Sequence, residues 1–270
     1  MDRDYVLGTH DAEIARLGLQ HRVWRPRALD AWRRAGFTAG QRVVDVGCGP
    51  GHASFDLADI VGSAGRVIGL ERSGRFLDAL RTARDARHVD NIETYEIDLD
   101  EDAFPIRNAD GAWCRWVLCF VRKPREVLAK IGGCLRMGGS LVLHEYFDYS
   151  TWRLAPRCPE LEDFVGVVMK SWRDQGGEPD IALDLTHWLA ELGFAIREMR
   201  PIVDVVPAHN YIWHWPASFV TVGLRRLVDL GHFTPERAAA ITAAFDAAES
   251  APHTHMITPA VLEIIAERRA

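Results

Sequence analysis

Asp45-Val46-Gly47-Cys48-Gly49-Pro50-Gly51-His52 is a glycine-rich turn set between an apolar lead-in, Val43-Val44, and a run of helical pattern. Glycines carry no Cβ to hold a ligand away and they tolerate positive φ, while the helix that follows offers N–H groups with no partner of their own. Such a turn belongs at the carboxyl end of a strand, where open α/β sheets bind ligands. The guest it suits is a nucleotide fragment. The dinucleotide fingerprint Gly-x-Gly-x-x-Gly is excluded, because its third glycine would fall on His52 when counted from Gly47 and on Ser54 when counted from Gly49.

On either side of the turn, from Gln41 to Arg200, short β-branched or apolar runs alternate with longer helical ones. This is the pattern of an α/β domain, a mostly parallel sheet covered on both faces. Strands are expected at 42–46, 66–70, 92–97, 111–118, 140–145 and 194–199. Pro124 suits the first turn of a helix that ends before Gly138-Gly139, and Gly193 terminates another that starts near Asp184. Upstream, 9–34 carries Ile14, Leu17, Leu19, Val23 and Trp24 in an imperfect helical stripe that should dock on the core. Downstream, 148–180 reads as an insertion, and the aromatic stretch His209 to Pro216 leads into further helices, one capped at Thr234-Pro235-Glu236. The tail at 261–266 fits either a helix end or a last strand.

With 270 residues, 48% apolar and 26% charged, the chain can bury a large core as one domain with embellishments. Its net charge of −6 creates no positive field to gather nucleic-acid phosphates or anionic lipid, which favours a small-molecule partner. Met1-Asp2-Arg3-Asp4 lacks the apolar stretch of a signal peptide, and no later apolar run is long enough to span a membrane, so a cytoplasmic setting is expected. Five cysteines, an odd number without a Cys-x-x-Cys pair, indicate reduced and mostly buried thiols rather than disulfides or zinc. His253-Thr254-His255 has no acidic or cysteine partner close in sequence and reads as a loop, so no metal is expected.

The string Asp-x-Gly-x-Gly-x-Gly behind Val43-Val44 resembles the first motif of the class I methyltransferases that use S-adenosylmethionine (SAM), and the resemblance runs from about residue 41 to 200. It implies a Rossmann-like, mostly parallel seven-stranded sheet with helices on both faces, an N-terminal helical cap and helical insertions. On this likeness 1–35 is the cap, 36–205 the SAM-binding core with its insertion at 148–180, and 206–270 a helical, aromatic segment completing the sheet and an acceptor pocket. In that family the glycine turn takes the methionine and ribose portions of SAM and the acid at Asp45 helps to organise it, which implies contacts from Gly47, Cys48, Gly49 and Gly51. Glu71 closes strand two, where a carboxylate accepts the ribose hydroxyls, with Arg72 beside it. Asp98 closes strand three, where the family places an acid on the adenine amine, with Leu99 beside it. Strand four matches the fourth motif, whose far end lies under the methionine, and this implies contacts from Cys114 and Arg115. An arginine inside an apolar strand needs a counterion, so Arg115 either pairs with an internal carboxylate or meets the SAM carboxylate or the substrate.

Methyl transfer from a sulfonium needs chiefly alignment and exclusion of water, and a base only where the acceptor must lose a proton. Strand five ends in His144-Glu145-Tyr146, which offers a base, an acid and a phenol at the substrate edge of the sheet. Alternation along a strand sends Glu145 to the opposite face from the other two unless the strand has ended. His21 and His52 are further candidates for moving a proton. Tyr5-Val6-Leu7-Gly8 and Ala15 to His21 resemble the N-terminal cap of bacterial small-molecule methyltransferases near the ubiquinone/menaquinone methylase branch. That cap closes over the cofactor and implies contacts from Tyr5, Gln20 and His21. The same likeness implies a partly apolar or aromatic small-molecule acceptor, S-adenosylhomocysteine (SAH) as product, and leaves a homodimer open. Two rival readings remain: a SAM-binding protein without turnover, and a nucleic-acid methyltransferase. Against the second stands Arg115-Trp116-Val117-Leu118, where an Asn-Pro-Pro-Tyr or Asp-Pro-Pro-Tyr string would be required.

Overall fold

Every residue of β1 (Arg42–Val46) after Arg42 is buried, the mark of a strand covered on both faces. In the computed structural model, which describes residues 10–270, β1 lies inside a seven-stranded sheet. Its companions are β2 (Arg66–Glu71), β3 (Ile92–Glu96), β4 (Ala109–Arg115), β5 (Leu135–Asp148), β7 (Phe194–Ile202) and β10 (Ala260–Arg268), in the order β3-β2-β1-β4-β5-β10-β7. β1 to β5 run parallel, and β10 lies antiparallel between β5 and β7. The order reverses between β1 and β4, and at such a switch point the loops part to leave a crevice above the strand ends. The tail is therefore a strand, and the Rossmann-like sheet is as the resemblance implied.

Alternation along the strands sorts the core into two layers. Val44, Ala112 and Leu143 belong to one apolar cluster, and Val43, Trp113 and Val142 to the other. Among the described residues eight helices cover them: α1 (Asp11–Ala35), α2 (His52–Val61), α3 (Gly74–Ala86), α4 (Pro124–Cys134), α5 (Pro159–Asp174), α6 (Ala182–Glu191), α7 (His214–Asp229) and α8 (Pro235–Ser250). α1 docks through Trp24 and Trp32, both fully buried, with Trp24 edge-on to Trp116 and Trp215 at 4.9 and 4.7 Å. Thr234 caps α8 by accepting the Arg237 N–H at 3.2 Å, with Pro235 at the first helical position as its sequence foretold.

Three expectations need correction. β4 was expected to run to Leu118 but stops at Arg115, because Trp116 takes φ +50° and turns the chain away from the sheet. β5 was expected to end at Glu145 but continues to Asp148, because β10 pairs along it, with Leu262 opposite Glu145 and Ala260 opposite Asp148. His255 opens a strand rather than standing in a loop: β9 (His255–Ile257) joins β6 (Arg153–Ala155) and β8 (Val205–Pro207) in a small antiparallel sheet.

Candidate active site

The carboxyl ends of β1 to β4 open onto one cavity of about 1070 Å³, partly continuous with solvent and closed above by Leu17, Gln20 and His21 of α1. Its floor is the glycine turn, with Gly47, Gly49 and Gly51 at φ +66°, +53° and +86°. A Cβ on Gly47 would sit 2.4 Å from Val117 Cγ2, and one on Gly51 2.5 Å from Leu80 Cγ, so these two let the turn seat against its neighbours. A Cβ on Gly49 would meet nothing within 4 Å, because Gly49 faces the open cavity. The N–H groups of Gly47 and Cys48 anchor the turn on the Leu70 carbonyl at 2.8 and 3.0 Å. Beneath it Asp45 accepts the Ser54 hydroxyl at 2.6 Å, and burial pushes the Asp45 carboxyl up to about 6.

Glu71 serves the turn as well as the cavity. Its Oε1 accepts the N–H groups of Arg72 and Ser73, both at 2.9 Å, and its Oε2 accepts that of Gly49 at 3.1 Å. A carboxylate offers about four lone-pair positions, so acceptor capacity remains on the side facing the cavity. Burial raises the carboxyl and the three backbone donors oppose that rise. Asp98, just past β3, lines the cavity with Leu99 while its Oδ1 accepts the Asp100 N–H at 3.0 Å. Asp100 itself is committed to the start of α4, accepting the N–H groups of Arg122 and Lys123 at 3.1 and 2.9 Å.

Arg115 ends β4 at the opposite side of the cavity, its guanidinium 5.5 and 5.2 Å from the rings of Trp113 and Trp116. Nη2 donates to His21 Nδ1 at 3.1 Å, and Nη1 is buried without a partner among the described residues. Since a guanidinium only donates, His21 carries its hydrogen on Nε2 and gives it to Asp56 Oδ2 at 2.9 Å. Burial lowers the His21 pKa, and takes that of His52, which also lines the cavity, down to about 4.

The structure thus brings Gln20, His21, Asp45, Gly47, Cys48, Gly49, Glu71, Arg72, Asp98, Leu99 and Arg115 around one space, with Gly51 shaping its floor from beneath. Cys114 is not among them: alternation turns it into the core, fully buried with Sγ 4.0 Å from Glu145 Oε1. Tyr5 lies outside the described residues. The trio at the end of β5 does not converge. His144 is fully buried against Trp113 and Trp24, its Nε2 2.9 Å from Glu263 Oε2. Glu145 is fully buried on the other face, where its Oε1 accepts the N–H groups of Val117 and Leu118, both at 2.9 Å. Both were expected at the site and both are enclosed because β5 has not ended where they stand. Tyr146 alone reaches a ligand space.

That space is a second chamber of about 410 Å³, partly continuous with solvent like the first cavity, with which it shares Gln20, Trp116 and Phe120. Trp116, Tyr146 and Trp215 present nearly parallel rings, tilted by only 14°, 12° and 2° from one another, and Trp172 and Phe219 close the far side. The aromatic stretch after residue 209 signalled Trp215 and Phe219. Trp116 stood in a run read as strand four, where it could be core or pocket wall, and Phe120 and Trp172 carried no signal, since single aromatics read as core.

A family model described as a methyltransferase domain matches residues 44–143, the segment holding the turn, Glu71, Asp98 and Arg115. The chain is 30% identical to aklanonic acid methyltransferase DauC of Streptomyces sp. strain C5 over 163 residues, 60% of this chain and 73% of that protein. It is 32% identical to the 2-phytyl-1,4-naphtoquinone methyltransferase of Synechococcus elongatus over 157 residues, 56% of this chain and 61% of that one. It spans between 47% and 73% of the length of the curated relatives that it matches over more than half of itself. The crystal structure of a putative methyltransferase from Bacillus halodurans shares the fold, with TM-score 0.61 at 16% identity over 90% of this chain and 99% of that one. The chain belongs to the class I SAM-dependent methyltransferases, near their UbiE-like branch.

Proposed function

We propose that this chain transfers a methyl group from SAM to a planar aromatic small molecule held in the ring-lined chamber. The observation that carries the reading is the junction of two spaces, one floored by the glycine turn and edged by acids, the other walled by parallel rings, with Gln20, Trp116 and Phe120 common to both. The residues fit the cofactor. Asp98 suits the adenine amine, the remaining acceptor capacity of Glu71 suits the ribose hydroxyls, and the room over Gly49 admits the thioether chain. Bound SAM supplies a methyl group already activated by its sulfonium.

This chain's own residues then align the acceptor and keep water out. Parallel ring faces favour a flat conjugated guest by offset stacking. The name of the Synechococcus relative gives that protein a naphthoquinone substrate, a guest of that shape. Among the described residues no carboxylate or imidazole lines the chamber, whose titratable side chains are Arg16, Tyr146 and Tyr149. We therefore assign the acceptor's reactivity to its own acidity, as in a phenol or enol, rather than to His144 or Glu145. α1 acts as the cap, and α5 and α7 as acceptor walls. No helix among the described residues is long and apolar enough to cross a membrane, and all five cysteines are free and buried. A reducing, cytoplasmic setting suits them.

The test is calorimetry with SAH and NAD in parallel, followed by a screen of phenols, hydroxyquinones and aliphatic amines for transfer of the labelled methyl of SAM. Micromolar SAH binding with transfer confined to the aromatic acceptors supports the reading. No SAH binding, or transfer only to aliphatic amines, overturns it.

A further inference from the structure

We infer that Arg115 clamps the carboxylate of the cofactor's methionine moiety, and that His21, held by Asp56, is the positioning residue that aims it. The inference deepens the reading of the first cavity as a SAM site and rests on it.

Asp56 is satisfied twice, by His21 Nε2 at 2.9 Å and by Arg25 Nε at 2.8 Å. Asp45, whose charge also acts on Arg115, is occupied with the Ser54 hydroxyl and makes no hydrogen bond to the guanidinium. Arg115 therefore holds its charge against two aromatic rings and a neutral imidazole, with no carboxylate bonded to it among the described residues and Nη1 unspent. A buried charge left in that state is expensive, and an anionic ligand is what relieves it.

Sheet order then says which anion. Asp98, Glu71, the glycine turn and Arg115 stand at the ends of β3, β2, β1 and β4, which are consecutive neighbours. Three strand spacings separate the first from the last, about 14 Å in all. SAM is itself linear, running from adenine through ribose and sulfur to the amino acid. With adenine held at Asp98 and ribose at Glu71, the sulfur would fall over the turn and the amino acid over β4. An acceptor's anion is the weaker choice, because Arg115 lines the cofactor cavity and not the aromatic chamber.

His21 fixes the aim. The guanidinium can rotate about its long stem, but Nη2 is tied to an imidazole whose tautomer Asp56 dictates, and this leaves the buried Nη1 as the donor still unspent at the wall of the cavity that Arg115 lines.

The probes are SAH and its decarboxylated analogue, which keeps the amine and lacks only the carboxylate, each titrated by calorimetry. Wild type should prefer SAH by about ten- to hundredfold, the size of a charge-assisted pair of bonds. Arg115→Met should bring that preference close to one while leaving the analogue's affinity within about twofold, and Arg115→Lys should retain part of it. His21→Ala should cut the preference by about tenfold, and His21→Gln, whose amide oxygen can accept the same N–H, should restore most of it. A preference unchanged in Arg115→Met overturns the clamp, and one unchanged in His21→Ala overturns the positioning role. If both probes bind wild type equally, the cofactor site stands and the clamp falls. If neither binds, the SAM reading falls and the clamp with it.

Discussion

Glu145 lies beneath the loop after β4 with no exposed surface, accepting two backbone N–H groups on Oε1 while Oε2 has no partner among the described residues. Burial pushes its pKa up to about 7. The folded protein therefore keeps a proton that the unfolded chain releases near the ordinary 4.5, and stability falls as pH rises through that interval. Glu145→Gln imitates the protonated acid, so its stability, followed through Tm, should gain on wild type between pH 5 and pH 8, by on the order of 3 kcal/mol. A constant difference in Tm across that range would show that Glu145 is ionised throughout. His21 titrates in the opposite sense. Burial, helped by the charges of Arg115 and Arg25 and opposed by Asp56, holds it neutral below the ordinary 6.5 beside His52, so SAH affinity should be flat near pH 7 and fall at lower pH as Nδ1 gains a hydrogen facing Arg115. His21→Gln should lose that acid limb in calorimetry. In the turn, Gly47→Ala would drive a Cβ to within 2.4 Å of Val117 and should lower Tm more than Gly49→Ala, whose Cβ would enter the room assigned to the thioether chain and should act chiefly by weakening SAH binding.

At the scale of elements, what the sequence disclosed and what it concealed divide cleanly. Asp45 to Gly51, Glu71 and Asp98 were legible because each stands at the end of a short apolar run, and strand ends are where an α/β sheet binds. Arg115 was legible as an anomaly, a charge in an apolar strand. The end of β4 was not, because Trp116 enters the left-handed region without a glycine or asparagine to announce it. The length of β5 was concealed for another reason: it depends on pairing with β10, more than a hundred residues away, and no local periodicity reports a distant partner. That one hidden fact moved His144 and Glu145 from the site into the core. The aromatic chamber is non-local in the same way, drawing Trp116 from a loop, Trp172 from α5 and Trp215 from α7. Trp215 touches the chamber and not the cofactor cavity, so Trp215→Leu should raise the acceptor KM by about tenfold, roughly the worth of one lost aromatic contact, while SAH affinity stays within about twofold. Equal losses in both would mean that α7 supports the cofactor as well.

For the molecule as a whole, the cofactor cavity lies between α1 and the sheet, so filling it should report on global stability. At about a hundred times its Kd, SAH should add about 2.7 kcal/mol to unfolding and raise Tm by about 5 °C or more, whereas NAD at the same excess should leave it unchanged. A rise with NAD instead would favour a dinucleotide site, which the glycine spacing disfavours. The placement of β10 bears on how the molecule comes to exist. It is the last strand of the sheet to be synthesised, yet it lies inside the sheet, with β7 beyond it. While residues 260–268 remain in the ribosome, β7 has no neighbour to pair with and the outer edge of β5 stands bare. The nascent chain therefore carries a sticky edge from the completion of β5 at Asp148 until β10 arrives at Ala260, and a message cut short of Ala260 yields a product with five paired strands and an orphaned sixth, a substrate for chaperones and proteases rather than an enzyme.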